Sequence, residues 1–287
     1  MIFSSLIIII FSIDNNELFE TFIIFAYSNI FVMRIKFLAF ISFLMIHLFV
    51  DAQKDITKEC VPTLMFQATY AYQFPGADTK VLYGNNSSIG ASVLYKTSKN
   101  WFFAANGNFI FGDKLNASRE DILGIILDHS GELISGDGIY ASYAMFERGY
   151  HLQARAGKVI NVLAPNPNCG FFISGGVGYL LNRVRTEFSS YSSSPSNLSG
   201  DYRYGYDRMR GGFAYSGEIG YMYLSNSRIF NFSLSLEFTQ AHTKSLREWD
   251  FNLMGPDKNK YTDRYVGIRF AIYIPTYKRT PLDYYYY

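Results

Sequence analysis

The chain has 287 residues, of which 18% are aromatic (Tyr 24, Phe 26, Trp 2) and only 17% charged, with Lys+Arg 26 against Asp+Glu 24 for a formal net charge of +2. Disordered chains are poor in aromatics and high in net charge, so disorder is excluded. Sparse, balanced charge also excludes the basic face of a nucleic-acid reader. Two cysteines are too few for a disulfide scaffold or a four-cysteine zinc site.

The N-terminal region reads as targeting sequence. Met33-Arg34-Ile35-Lys36 is a basic n-region, Phe37 to Val50 an apolar h-region, and Val50-Asp51-Ala52 a cleavage motif. Residues 33–52 are therefore expected to be a secretory signal peptide cut between Ala52 and Gln53, and the late position of Cys60 argues against a lipoprotein anchor. Residues 1–32 precede a complete export signal. Either they are an over-called start, with translation beginning at Met33, or their apolar runs Leu6–Phe11 and Phe22–Val32 form an anchor; the over-called start is the simpler reading. Cleavage after Ala52 leaves 235 of the 287 residues and, by removing two basic and four acidic side chains, raises the formal charge to +4.

Beyond residue 60 the hydropathy alternates with period two, the signature of strands with one face in lipid. Leu64–Phe74 sets Ala68, Tyr70, Tyr72 and Phe74 against Gln67, Thr69, Ala71 and Gln73. Ser88–Lys96, Trp101–Phe111, Gly149–Ile160, Phe171–Leu181 and Phe213–Tyr223 repeat the pattern. Phe230–Gln240 is the cleanest, with Phe232, Leu234, Leu236 and Phe238 outward and Ser233, Ser235, Glu237 and Thr239 inward. Val266–Ile274 is the eighth, and Pro275, lacking a ladder donor, ends it.

A soluble β-sandwich alternates in the same way, and the connections decide between the two. Segments 75–87, 112–148, 182–212 and 241–265 are long, whereas Thr97–Asn100, Asn161–Gly170 and Leu224–Ile229 are short. Strict long–short alternation predicts an all-β fold: an eight-stranded antiparallel up-and-down transmembrane β-barrel over residues 53–275, with long extracellular loops and short periplasmic turns. The location so predicted is the outer membrane, with outer-membrane lipid as the immediate partner and no nucleic acid.

An eight-stranded barrel is filled by its own side chains. The inward set includes Gln67, Gln73, His151, Gln153, Arg155, Glu218, Glu237 and Arg269. Arg155, Glu218, Glu237 and Arg269 form a neutral lumen charge network, which reads as a structural plug or, alternatively, as a gate. A general porin is not expected. Gly175-Gly176-Val177-Gly178 opens no helix and reads as a strand with small lumen residues.

Chemistry is sparsely encoded. His151 is the one histidine near a predicted strand, inward on the face of Glu147; His129 and His242 fall in long loops. No serine is assigned to any of them, so no catalytic residue, metal ligand or cofactor is predicted. In the second long loop, Ser118-Arg119-Glu120-Asp121 is a capping-box pattern preceding Ile122, Leu123, Ile125, Ile126 and Leu127. It predicts a short helix that caps the barrel mouth or docks on a partner. Cys60 and Cys169 both fall on the periplasmic side, and a disulfide requires residues 53–62 to cross beneath the barrel. Residues 276–287 extend past the last strand, with Tyr277, Lys278, Arg279, Tyr284 and Tyr285 in a basic-then-tyrosine tail. Tyrosine and arginine favour interface hot spots, so this periplasmic tail is either a docking segment for a periplasmic or outer-membrane protein partner or a terminus folded under the barrel.

Several strings resemble an outer-membrane β-barrel family of Bacteroidota with no assigned activity. They are Phe146-Glu147-Arg148-Gly149, Gly157-Lys158-Val159-Ile160, Pro165-Asn166-Pro167-Asn168, Gly205-Tyr206-Asp207-Arg208 and Met254-Gly255-Pro256-Asp257. The ending Pro275-Thr276-Tyr277-Lys278-Arg279, with Pro281 and Tyr284–Tyr287, is also similar, and the strings spread over most of residues 60–287. Cys169 departs from the small residue expected at its position. The resemblance implies location and fold and transfers no catalytic residue. Together these features predict a non-enzymatic barrel, a structural or accessory subunit of an envelope export or assembly machine. The alternatives are a lipid-modifying enzyme and a small pore or surface binder.

Overall fold

A computed structural model describes residues 57–189, 194–226 and 230–276. Residues 33–52, expected to be a signal peptide, residues 1–32 and the tail residues Tyr277, Lys278, Arg279, Tyr284 and Tyr285 lie outside the described residues. Eight antiparallel strands close into a barrel in the order β1 to β8. They are β1 (Thr63–Gly76), β2 (Asn86–Lys96), β3 (Trp101–Gly112), β4 (Tyr143–Ile160), β5 (Gly170–Phe188), β6 (Arg210–Leu224), β7 (Asn231–Ser245) and β8 (Lys260–Pro275). β8 closes the ring on β1, with Phe66 opposite Ile274 and Phe74 opposite Val266.

Burial alternates residue by residue, as the pleat requires. On β7, Asn231, Ser233, Ser235, Glu237 and Thr239 are buried, while Phe232, Leu234, Leu236 and Phe238 are exposed to the outside. Tyr70, Phe103, Leu152, Ile173, Ile219 and Ile268 continue the same apolar belt around the ring. An apolar exterior around a polar interior is the pattern of a barrel that crosses a membrane with strands, whereas a soluble barrel inverts it. No helix among the described residues is long and apolar enough to cross a membrane.

Every strand is longer than its period-two core. The extension is greatest toward the long loops: β4 begins at Tyr143, β5 runs to Phe188, β7 to Ser245 and β8 begins at Lys260. The added outward residues include Arg148, Arg183, Lys244 and Lys260, so hydropathy no longer alternates there although the ladder continues. The long connections contract accordingly to 77–85, 113–142, 189–209 and 246–259. This moves His242 out of a loop and onto the outer face of β7, beside the Tyr215 ring.

The outer mouth is closed by the long loops themselves. Ser118 caps α1 (Arg119–Leu123): its hydroxyl accepts from the Asp121 backbone N–H at 3.1 Å, and the Asp121 carboxylate accepts from the Ser118 N–H at 3.0 Å. This reciprocal box satisfies orphan donors at the helix start and turns Ile122 and Leu123 inward, where both are fully buried. They pack with Leu82 and Tyr83 from the first loop, Leu133 from the second and Leu198 and Tyr206 from the third. Asn252 of the fourth loop donates to the Ile122 carbonyl at 2.6 Å, and Arg208 donates to the Asp121 carbonyl. The helix therefore caps the barrel.

Candidate functional site: the closed lumen

The interior is stacked in layers along the barrel axis. Nearest the short turns, Met65, Leu94, Phe102, Phe172, Met222 and Leu224 form an apolar plug, and Phe102 meets Phe172 edge to face at 5.9 Å. Fully buried Lys96 lies beneath it, its Nζ donating to Asn168 Oδ1 at 2.8 Å. Asn168 also accepts from the Val61 backbone N–H at 2.9 Å and donates to the Glu59 carbonyl at 2.9 Å. The segment preceding β1 is thereby tied across the barrel floor to the turn between β4 and β5.

That crossing brings no disulfide. Cys60 Sγ donates to the Pro167 carbonyl at 3.2 Å, and Cys169 Sγ donates to the Leu224 carbonyl at 3.1 Å and accepts from its N–H at 3.1 Å. Both thiols are free. The floor does bridge the two segments, but Asn168 and Lys96 hold them together and each sulfur is engaged elsewhere. Burial pushes the Cys169 thiol above its usual range.

The middle layer holds the four predicted charges as two ion pairs. Arg155 on β4 pairs with Glu218 on β6. Arg155 Nε also donates to Asn106 Oδ1 at 3.2 Å, and Glu218 accepts from Ser235 Oγ at 2.6 Å. Arg269 on β8 pairs with Glu237 on adjacent β7 at 3.1 Å, and Gln73 donates to the second Glu237 oxygen at 2.6 Å. All four side chains are at least nine-tenths buried. Buried charges are tolerated only when paired and further hydrogen-bonded, and both conditions are met here.

Between this layer and the cap, Ile110, Leu180, Ala214, Ala241 and Tyr265 form a second apolar constriction. Above it, Tyr265 donates to Glu147 at 2.9 Å, and Asp263 accepts from Thr79 at 2.8 Å and from Thr243 at 2.6 Å. Lys96, Glu147 and Asp263 do not belong to the sequence-derived network. Inward parity on β2 marks Lys96; Glu147 and Asp263 lie where the alternating pattern fades.

Three histidines fall among the described residues. The His151 side chain is buried on the lumen wall, and its Nε2 has no hydrogen-bond partner among the described residues. His242 faces outward and His129 sits in the second loop. No group of three or more His, Cys, Asp or Glu side chains poised for a metal occurs among the described residues.

No protein-family profile matches the chain, and no curated protein matches it. Among solved structures, the attachment invasion locus protein Ail of Yersinia pestis superimposes with a TM-score of 0.41 at 11% identity, covering 74% of this chain and 97% of Ail. Neisserial surface protein A superimposes with a TM-score of 0.37 at 12% identity, covering 74% of this chain and 96% of its own. At such identity neither speaks to the activity of the present chain, whose fold is defined by its own closed hydrogen-bonded ring.

Proposed function

We propose that this protein is a non-enzymatic outer-membrane β-barrel, closed to solute flow, that serves as a structural or accessory subunit of an envelope export or assembly machine. The observation that carries the reading is the lumen. Two apolar layers and two buried ion pairs lie across it between floor and cap, which supports a barrel that does not conduct. The reading assigns no catalytic step, since no histidine among the described residues hydrogen-bonds to a nucleophile. What remains for function is the rim, the outer surface and the tail of residues 276–287. We further propose membership of the Bacteroidota barrel family that the short strings resemble.

The test is affinity capture of the full chain from its native envelope, compared with a chain lacking residues 276–287. A stable set of co-purifying envelope proteins that disappears with the tail is expected. Capture of the same set without the tail removes the docking role of the tail, and the absence of any stable partner contradicts the subunit reading.

A further inference from the structure

Membrane-facing charge on this barrel is confined almost wholly to one end. Among the described residues, the outward positions of the eight strands carry Arg148, Arg183, Arg185, Glu187, Lys244, Lys260 and Arg264 near the long loops. Only Lys158 lies near the short turns, its ammonium 5.4 Å from the centre of the Trp101 ring. Glu187 is the single acid of the outer group and already pairs with Arg185 at 2.9 Å.

Within this rim, Arg148 on β4 stands directly opposite Arg183 on β5, and both point outward. Facing side chains in an antiparallel pair start about 5 Å apart at Cβ, and like charges there repel. Arg148 is held by the Glu147 carbonyl at 2.8 Å and lies 4.8 Å from the Phe146 ring centre. Arg183 makes no hydrogen bond or ion pair among the described residues. Two facing guanidinium groups, one of them without a protein partner, suit a multivalent oxyanion: each planar fork offers parallel N–H donors to phosphate oxygens.

Below the pair, toward the membrane centre, the exterior is apolar and grooved. Tyr150 and Leu181 lie opposite one another one outward position lower, with Leu152 beneath them. Gly107 faces Leu152 and supplies no side chain, leaving a shallow groove of about 400 Å³ bordered by Ile89, Phe109, Tyr150 and Leu152. A cationic clamp at headgroup height above an apolar channel on the same wall matches a lipid with a phosphorylated headgroup.

We propose that Arg148 and Arg183 bind the phosphate group of an outer-leaflet lipid, one of whose acyl chains lies in the groove at Gly107. The proposal requires the membrane-spanning orientation and is independent of the subunit role, because it needs neither the tail nor a protein partner.

The test uses the full chain folded in neutral detergent, titrated with diphosphoryl lipid A, its dephosphorylated form and inorganic phosphate. Diphosphoryl lipid A is expected to bind about tenfold more tightly than the dephosphorylated lipid. Arg183→Gln is expected to erase that preference while raising the thermal unfolding midpoint of the lipid-free barrel, since it relieves the like-charge pair. Lys244→Gln with Lys260→Gln, an equivalent outward like-charge pair on β7 and β8, is expected to keep the preference. Gly107→Leu is expected to weaken the lipid several-fold and leave inorganic phosphate unchanged. Equal binding of the two lipids overturns the proposal, as does an equal loss in the lysine variant, which signifies diffuse charge. Displacement of the lipid by inorganic phosphate at matching affinity also overturns it, leaving a free-anion site.

Discussion

Arg155 reaches Glu218 by passing over Gly176, the β5 residue that faces it in the ladder. A Cβ at Gly176 would stand 2.7 Å from Arg155 Cγ and 2.8 Å from Ser216 Oγ, closer than any side chain is accommodated without movement. The glycine-rich strand segment is thus the space through which a charge on β4 finds its partner two strands away. Gly176→Val is expected to break the pair and abolish stable folding, whereas Gly175→Val, on the outward face with open surroundings, is expected to fold like the parent. Heat-modifiable gel mobility of the refolded variants distinguishes the two.

The neighbouring pair, Glu237 and Arg269, gives a second expectation. Removing one member leaves a buried charge unpaired, which costs about 3–5 kcal/mol. Glu237→Ala is expected to lower stability by that order in urea unfolding from lipid vesicles. Glu237→Leu combined with Arg269→Met removes both charges at similar volume and is expected to lose much less, since a buried ion pair yields little net stability over an apolar replacement.

The cap carries a pH dependence. The Ser118 backbone N–H and hydroxyl hold the Asp121 carboxyl below its ordinary range. A depressed carboxylate contributes to the folded loop fully above its unfolded value near about 4, and the contribution fades as pH falls through its lower folded value. The protection factors of the amides at Asp121 to Leu123, taken relative to the intrinsic exchange rate at each pH, are therefore expected to fall on acidification, and Asp121→Asn is expected to remove this dependence. Ser118→Ala is expected to weaken the cap by about 1 kcal/mol at neutral pH.

The strands were legible because lipid on one side and packed polar groups on the other impose a two-residue period, which Phe232 to Phe238 display without exception. Where the exterior leaves the hydrocarbon, that contrast ends. Arg148, Arg183 and Lys244 face outward as Phe238 does, so the ladder runs on while the hydropathy pattern stops, and His242 looked like a loop residue. The capping box at Ser118 was legible because it is entirely local. Which lumen arginine meets which glutamate was not: Arg155 and Glu218 are separated by a whole strand, and only the closed ring brings them together. The floor was hidden for the same reason, since Asn168 joins Lys96 and Val61 from segments far apart in sequence.

Free thiols make a further prediction. Half-buried Cys60 is expected to react slowly with a maleimide in the folded barrel, and buried Cys169 only after unfolding. Mass spectrometry should find one label per native chain and two per denatured chain, without reductant. A denatured chain that takes no label until reductant is added carries a Cys60–Cys169 disulfide and contradicts the floor described above.

Ion conduction across a planar lipid bilayer separates a filled barrel from a pore. With Arg155–Glu218 and Arg269–Glu237 intact between two apolar layers, the purified, refolded chain is expected to insert without current steps above the bare-bilayer baseline over the full range of applied voltage. Reproducible, sustained single-channel steps from the unmodified protein would contradict a closed lumen and, with it, the reading of this barrel as a non-conducting subunit.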